Sequence, residues 1–235
     1  MHPIIQNNPL NQQKIHSEII GGDSFKMIKV SLSPAAEVIT EPGAMASHQV
    51  SIRVKTELNG NIFKALMSFF FGGESVFVSR YKNSANTDAV VYLTQATPGA
   101  ILHRELKGEA LFIEKGAFIA RTKGVRGETV WAGFTSFIAG EGLFRLKYTG
   151  YGSLWFGSYG AVYEKEIKGD YIVDSNHLLA YPPTIKLNLT TAGGLIASFL
   201  SKEGFVLKLS GHGKVLLQTR SVKGLAQWLN SKFWG

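Results

Sequence analysis

A motif that occurs three times constrains the fold of this chain more than any other feature. The motif spans Leu106–Gly116 and returns at Ile167–His177, and a looser copy occupies Val30–Gly43. The matched glycines Gly108 and Gly169 lie 61 residues apart. Self-similarity at a regular period predicts that one structural unit is built several times along the chain.

A second motif follows each copy of the first. Each copy is an apolar, aromatic-rich stretch that ends at a glutamate, namely Glu74, Glu141 or Glu203. These glutamates are spaced 67 and 62 residues apart. Two independent motifs that recur in the same order at one spacing predict three repeated units.

Alternation with a period of two identifies the units as β structure. Phe144, Leu146 and Tyr148 alternate with polar side chains, and the same pattern recurs from Phe205 to Ser210. Such alternation places one row of side chains on a core and the other toward water. Each run meets a Gly-x-Gly sequence, at residues 150–152 and 211–213, which predicts the turn of a β-hairpin there.

The expected architecture is an all-β protein of three repeated β-sandwich or barrel-like subdomains in a pseudo-threefold arrangement. A polar N-terminal extension covers residues 1–24, and one β domain covers residues 25–235. The subdomains are expected at roughly 25–97, 98–163 and 164–235. Leu225, Ala226, Trp228 and Leu229 lie at helical spacing and predict a short C-terminal helix from Val222 to Phe233, laid on the sheet.

The charge, the cysteine content and the absence of targeting segments indicate which classes of partner and which cellular location to expect. Lys and Arg number 25 against 17 Asp and Glu, a net charge of +8 that favours nucleic acid or an anionic membrane surface. The chain has no cysteine, which excludes disulfides and thiolate chemistry. No secretory signal and no apolar run of about 20 residues is present, so a cytoplasmic location is predicted.

The candidate catalytic patterns do not support an enzyme. His103 and Glu105 have the His-x-Glu spacing of zinc deaminases, but the cysteine ligands of that signature are absent. Asp174 and His177 could form an acid–base or metal pair, although a turn is the favoured interpretation. We therefore predict no catalytic residue, no metal site and no cofactor.

The three repeated glutamates are candidate axial carboxylates. If a threefold body brought Glu74, Glu141 and Glu203 to one axis, they could bind a cation or titrate together. The alternative, which is favoured, is three separate turn residues that accept backbone hydrogen bonds.

The apolar stretches before these glutamates are the best functional lead. Exposed together at one end of the body, they would form an aromatic patch suited to a membrane or a partner protein. Buried, they would fill the core or a subunit interface. The candidate interaction residues are Phe69, Phe70, Phe71, Phe134, Phe137 and Phe199.

Taken together, the motifs resemble a known family. From about Phe25 to Leu229 the chain resembles the altered-inheritance-of-mitochondria type of mitochondrial biogenesis protein and its bacterial relatives of unknown function. The residues that carry the resemblance include Gly73–Phe77, Lys115–Ala120, Gly140–Phe144, Thr149–Gly152 and Gln218–Arg220. The resemblance implies a fold similar to the tryptophan RNA-binding attenuator protein and no known enzyme activity.

The sequence therefore predicts a non-enzymatic scaffold or binding protein, acting at a membrane surface or in protein assembly. Self-association is expected. The alternatives are a nucleic-acid-binding protein, which no motif supports, and a binder of a small ligand or metal at the pseudo-threefold axis. Fold similarity to an RNA-binding protein does not itself carry RNA binding.

Overall fold

The computed structural model describes residues 14–58, 77–131, 144–191 and 205–233. Within these ranges the chain is built almost entirely from β-strands. Up to residue 94 they are β1 Ile15–Gly21, β2 Lys26–Leu32, β3 Glu37–Thr40, β4 Met45–His48, β5 Ile52–Leu58, β6 Phe77–Asn83 and β7 Ala89–Thr94. From residue 101 to 157 they are β8 Ile101–Lys107, β9 Leu111–Ile113, β10 Phe118–Arg121, β11 Val125–Trp131 and β12 Phe144–Gly157.

The last part of the chain adds four strands and a helix. These elements are β13 Val162–Val173, a 3₁₀ turn Ser175–His177, β14 Leu178–Tyr181, β15 Ile185–Thr191, β16 Phe205–Gln218 and the α-helix α1 Val222–Phe233. The all-β class and the short C-terminal helix are thereby confirmed.

All strand pairs between these elements are antiparallel, and they form two sheets. The smaller sheet has the order β1-β2-β7-β4. The larger runs β13-β16-β14-β9-β12-β10-β3-β6-β5, with β8 and β11 also paired to β12 and β15 paired to β16.

One pairing scheme recurs in the three successive segments of the chain. In the first segment, β2 and β4 pair with β7, while β3 and β5 pair with β6. In the second, β8 and β10 pair with the last part of β12, while β9 and β11 pair with its first part. In the third, the first part of β13 and β14 pair with the last part of β16, while the end of β13 and β15 pair with its first part. Arrangement of these segments about a pseudo-threefold axis stays a prediction.

The prediction of hairpin turns at the two Gly-x-Gly sequences is wrong. β12 runs without interruption through Gly150 and Gly152, and β16 runs through Gly211 and Gly213. The physical reason is close approach at a bend, because a Cβ added at Gly150 (φ 113°) would lie 2.2 Å from the carbonyl oxygen of Gly124. Glycine thus lets one long strand pair with different partners on either side of the bend.

The first segment has no Gly-x-Gly sequence, and its corresponding strand is broken. β6 ends at Asn83 and β7 begins at Ala89. The buried Asn83 side chain closes the intervening loop by donating from Nδ2 to the carbonyl oxygens of Leu32 (2.9 Å) and Thr87 (2.8 Å).

Two of the expected boundaries differ from the strands. Residues 15–21, which the sequence placed in the polar N-terminal extension, form β1 and pair with β2 from Ile15↔Leu32 to Gly21↔Lys26. The expected boundary between residues 163 and 164 lies inside β13, which pairs with β16 from Val162 onward. The third strand series therefore begins just after Gly160.

Short joints connect consecutive segments. β10 of the second segment pairs with β3 of the first, through Ala120↔Thr40 and Arg121↔Ile39. β14 of the third pairs with β9 of the second, through Ala180↔Ile113 and Tyr181↔Phe112. These joints have matching backbone hydrogen bonds, from Glu41 N–H to Ile119 O (3.0 Å) and from Glu114 N–H to Leu179 O (2.8 Å).

The hydrophobic core crosses these joints. The cluster built on Ile28, Val91 and Leu93 of the first segment also includes Ile119 and Trp155 of the second. The second cluster in turn includes Leu179 and Leu216 of the third segment. Burial therefore couples each segment to the next.

Candidate functional site

The residues proposed from sequence as an aromatic surface and as axial carboxylates lie outside the described residues. They are Phe69, Phe70, Phe71, Phe134, Phe137, Phe199, Glu74, Glu141 and Glu203. Each belongs to the connection between two paired strands, whose last described register pairs are Leu58↔Phe77, Trp131↔Phe144 and Thr191↔Phe205.

The base of the first connection is apolar and exposed. Leu58 and Phe77 are 38% and 48% exposed, and Val54 on the same strand as Leu58 is also exposed. Leu58 and Phe77 thus place apolar surface at this end of the β5–β6 pair, and Val54 lies four residues back along β5, opposite Tyr81.

The most distinctive surface of the described chain is the helix α1. None of its residues is buried, so the expectation that it lies packed on the sheet is wrong. Its exposed large apolar side chains are Val222, Leu225, Trp228, Leu229 and Phe233. The periodicity of these side chains predicted the helix, but spacing alone does not show what covers an apolar face.

Local interactions define both ends of α1. Ser221 precedes it, accepting a hydrogen bond from Gly224 N–H at its Oγ (3.0 Å) and one from Leu225 N–H at its carbonyl oxygen (3.0 Å). This is the hydroxyl cap that helix N-termini favour. Lys232 lies in the last turn, where a cation interacts favourably with the helix dipole.

The charged side chains of α1 and of the sequence just before it are all positive. The sequence after Glu203 contains five Lys and Arg residues and no Asp or Glu. Two of them have acidic partners on the β body, since Lys208 Nζ lies 2.6 Å from Asp170 and Lys214 Nζ lies 2.7 Å from Glu164. The other three are Arg220, Lys223 and Lys232, which have no ion pair with the described acidic residues.

A shallow cleft of about 440 Å³ adjoins the chain just before α1. Its polar side chains include Asp23, Lys26, Tyr159 and Arg220. The cleft forms where the starts of the three segments meet, through the bridges Phe25↔Gly99 and Gly99↔Gly160.

Asp174 and His177 do not form the acid–base pair considered from sequence. Asp174 Oδ1 accepts hydrogen bonds from the backbone N–H (2.9 Å) and side-chain Nδ2 (2.7 Å) of Asn176. His177 Nδ1 lies 2.7 Å from the carbonyl oxygen of Gln218. Both side chains hold the turn that precedes β14, as the favoured interpretation expected.

His103 has a structural environment rather than a zinc-ligand set. Its ring stacks on Trp155 with centroids 5.1 Å apart, and Nε2 lies 3.8 Å from Glu105. Burial lowers the pKa of His103, partly offset by the negative charge of Glu105. Among the described residues, no group of three or more His, Asp or Glu side chains could hold a metal ion.

The densest charge network lies on β3, β5 and β6 and has a structural role. Arg80 donates to Glu37 Oε1 from Nη1 (2.7 Å) and to Glu57 Oε1 from Nε (3.0 Å). The hydrogen bond from Arg80 lowers the pKa of Glu57, against a smaller opposing effect of burial. The network thus ties three strands of the first segment together.

This network predicts acid-sensitive stability. The pKa of Glu57 is lower in the folded chain than in the unfolded chain. The stabilisation from its interaction with Arg80 is therefore fully present above the ordinary glutamate pKa of about 4.3, and it is lost as the pH falls through the pKa of the folded chain. We expect Glu57→Gln to lower the melting temperature at neutral pH by about 2–4 °C, the equivalent of roughly 1 kcal/mol. The difference from the parent chain should shrink as the pH falls below the ordinary glutamate pKa, and it should vanish once Glu57 is protonated in the folded chain.

Thermal unfolding followed by circular dichroism across that pH range measures the effect. Glu18→Gln is the matched control, because Glu18 is exposed on β1 and has no ion pair among the described residues. A Glu57→Gln difference that stays constant with pH would show that the carboxylate charge is not the cause.

Comparison with known proteins shows which family the chain belongs to. The family model described as Mitochondrial biogenesis AIM24 matches residues 17–220. The chain belongs to this family. The match to the AIM24 family ends at Arg220, so α1 lies beyond the matched range.

Two similar proteins come from Streptococcus pyogenes. An uncharacterized protein is 24% identical to this AIM24-family chain over 211 residues, which cover 86% of the chain and 84% of the relative. A crystal structure of a protein from the same organism has a TM-score of 0.77 at 24% identity, covering 94% of this chain and 100% of that one. At this identity the likeness shows the AIM24-family fold alone.

Proposed function

We propose that this protein is a non-enzymatic binding protein that attaches to anionic membrane surfaces through α1. The observation that carries the proposal is a helix whose large apolar side chains are exposed within a stretch that lacks acidic residues. No helix in the described part of the chain is long and apolar enough to cross a membrane. α1 would therefore lie in the plane of the interface.

The sequence of α1 suits interfacial binding. Val222, Leu225, Leu229 and Phe233 follow one another at spacings of three or four residues, which places them on one stripe of the helix. Trp228 lies at the flank of this stripe, and indole rings favour the headgroup level of a bilayer. The opposite side is polar and includes Lys223.

Electrostatics select an anionic surface over a neutral one. Arg220, Lys223 and Lys232 lie before and within α1, without ion pairs to the described acidic residues. Each basic residue near an anionic bilayer contributes about 1 kcal/mol, and this attraction falls with ionic strength. Burial of the apolar side chains in the bilayer supplies the part of the binding free energy that does not depend on salt. A cytoplasmic membrane face is the compartment that we infer.

The direct test is co-sedimentation of the full chain with vesicles of phosphatidylglycerol and phosphatidylcholine. We expect the double substitution Leu225→Ser and Phe233→Ser to weaken binding by about 100-fold, because each side chain contributes roughly 1.5 kcal/mol. The pair Lys223→Gln and Lys232→Gln should weaken binding at low salt and have little effect at high salt.

The matched control is Tyr163→Ser, which removes an exposed aromatic side chain (49%) from the β body. It should leave vesicle binding unchanged. If the parent chain fails to sediment with anionic vesicles, or binds pure phosphatidylcholine equally well, the proposal is wrong. Loss of single-stranded RNA binding in the same variants, with vesicle binding intact, would instead identify α1 as a nucleic-acid-binding element.

A further inference from the structure

The joints between consecutive segments leave one complementary pair of strand edges unused. At each joint a short strand of one segment, β10 or β14, pairs with a strand of the preceding segment, β3 or β9. In the first segment the counterpart of β10 and β14 is β4, and in the last segment the counterpart of β3 and β9 is Tyr171–Val173, the end of β13. Among the described residues, no pairing connects these two edges.

We propose that β4 of one copy of this chain pairs with Tyr171–Val173 of a second copy, repeating between molecules the joint found twice within one. The correspondence of residues follows from a bulge that β4, β10 and β14 share, at Met45/Ser47, Phe118/Ala120 and Leu178/Ala180. The expected intermolecular register is therefore Ser47↔Val173 and His48↔Ile172. Asp174 N–H would donate to Ala46 O, as Glu41 and Glu114 donate at the internal joints.

Burial supports this correspondence. At the internal joints, Ile119 and Leu179 are 2% and 0% exposed, whereas their counterpart Ala46 is exposed. On the other side of the joint, Ile39 is 2% exposed, and its counterpart Ile172 is 53% exposed. At the first joint the fold buries both positions, and at the second it buries Leu179 and leaves Phe112 half-buried, whereas the terminal edges expose both Ala46 and Ile172.

The outer edges of β5, β11 and β15 do not show this asymmetry. β5, β11 and β15 each have one partner strand, so an open outer edge there is common to all three segments. β1 covers the outer edge of β2, whereas no described strand covers the equivalent edge of β8 or of the first part of β13, but β1 comes from the start of the chain and not from a neighbouring segment. For β4 and Tyr171–Val173, a strand of the adjacent segment occupies the equivalent edge at both internal joints. An unpaired edge is a template for strand addition, and its main-chain hydrogen bonds provide the affinity.

The partner edge comes from a second copy because the edges do not meet within the chain. The bridges at the starts of the segments also join the first segment to the second and the second to the third, through Phe25↔Gly99 and Gly99↔Gly160. No bridge between described residues joins the third segment to the first there, and Phe25 is 77% exposed. Pairing of β4 with β13 between copies is a heterologous, head-to-tail contact. Such contacts produce rings if the rotation closes and filaments if it does not. This inference is independent of membrane binding through α1.

Cysteine trapping tests the register directly, because the natural chain contains no cysteine. The carbonyl–amide bonds one residue away make Ser47↔Val173 a non-hydrogen-bonded pair, with Cα atoms about 4.5 Å apart, within disulfide range. We expect an equimolar mixture of the full-length Ser47→Cys and Val173→Cys chains to form a mixed disulfide dimer under oxidising conditions. Each variant alone should form none.

The double variant Ser47→Cys with Val173→Cys should give a ladder of crosslinked chains. A faster-migrating single chain with an internal disulfide would show closure within one molecule and overturn the proposal. Absence of the mixed dimer in the two-variant mixture would do the same.

Sedimentation velocity of the full chain, without vesicles, tests the assembly itself. We expect species larger than one chain for the parent protein. Ile172→Asp should shift them to single chains, because it places a charge at the position where Ile39 is buried and Phe112 is half-buried at the internal joints. Tyr163→Asp, on the same strand and 49% exposed, should leave the assembly intact. A parent chain that sediments only as single molecules, or equal effects of both substitutions, would overturn the proposal.

Discussion

Replacement of Trp155 by alanine is expected to lower the free energy of unfolding by about 3–5 kcal/mol, the usual cost of truncating a buried aromatic residue. Trp155 is 1% exposed and lies on β12, opposite His103 of β8 and Ala120 of β10. Its side chain belongs to the cluster formed mainly by the first segment. The cavity would therefore lie where two segments share their core.

Urea unfolding of the full chain, followed by far-ultraviolet circular dichroism, measures this loss. Tyr151→Ala is the matched control, because Tyr151 is on the same strand and 73% exposed. Its effect should stay within about 0.5 kcal/mol. Similar losses for the two variants would show that Trp155 does not join the segments.

Trp155→Phe separates packing from hydrogen bonding. The buried indole Nε1 has no hydrogen-bond partner among the described residues. Phenylalanine would therefore remove part of the packing without breaking a hydrogen bond, and it should retain more stability than alanine. A phenylalanine variant as unstable as the alanine variant would indicate that the indole nitrogen is bonded in solution.

The sequence predicted local structure better than it predicted the partners of each element. Alternation at Phe144, Leu146 and Tyr148 correctly indicated a strand, and the helix begins and ends at the expected Val222 and Phe233. These features depend on side-chain periodicity, which is visible in one sequence. Whether Gly150 ends a strand or bends it depends on the approach of Gly124, a contact that periodicity does not encode.

In the candidate site too, the sequence predicted the element but not what it contacts. The apolar positions of α1 are the same whether the helix packs on a sheet or faces a membrane, so their spacing alone favoured the commoner packed arrangement. The absence of Asp and Glu after Glu203 was the available signal for an exposed, cationic helix. The unused edge of β4 had no such signal, because only the strand register shows that β10 and β14 pair where β4 does not.

Substitution of Gly99 by alanine is expected to cost about 3 kcal/mol, at the upper end of the usual range for overpacking. A Cβ at Gly99 would lie 2.1 Å from the carbonyl oxygen of Ser158 and 2.7 Å from the backbone nitrogen of Gly160. Both are main-chain atoms, so rotation of a side chain cannot relieve the clash. The backbone would have to separate where the starts of the three segments meet.

That separation would break specific hydrogen bonds. Gly99 N–H donates to Ser24 O at 2.8 Å, and Ala100 N–H donates to Gly160 O at 3.1 Å. Gly22→Ala is the matched control for urea unfolding, since no atom beyond the adjacent residues lies within 4 Å of its added Cβ. It should be neutral or stabilising by about 0.4–1 kcal/mol, through reduced entropy of the unfolded chain. If Gly99→Ala were as harmless as Gly22→Ala, the segments could not approach as closely as the bridges at Gly99 require.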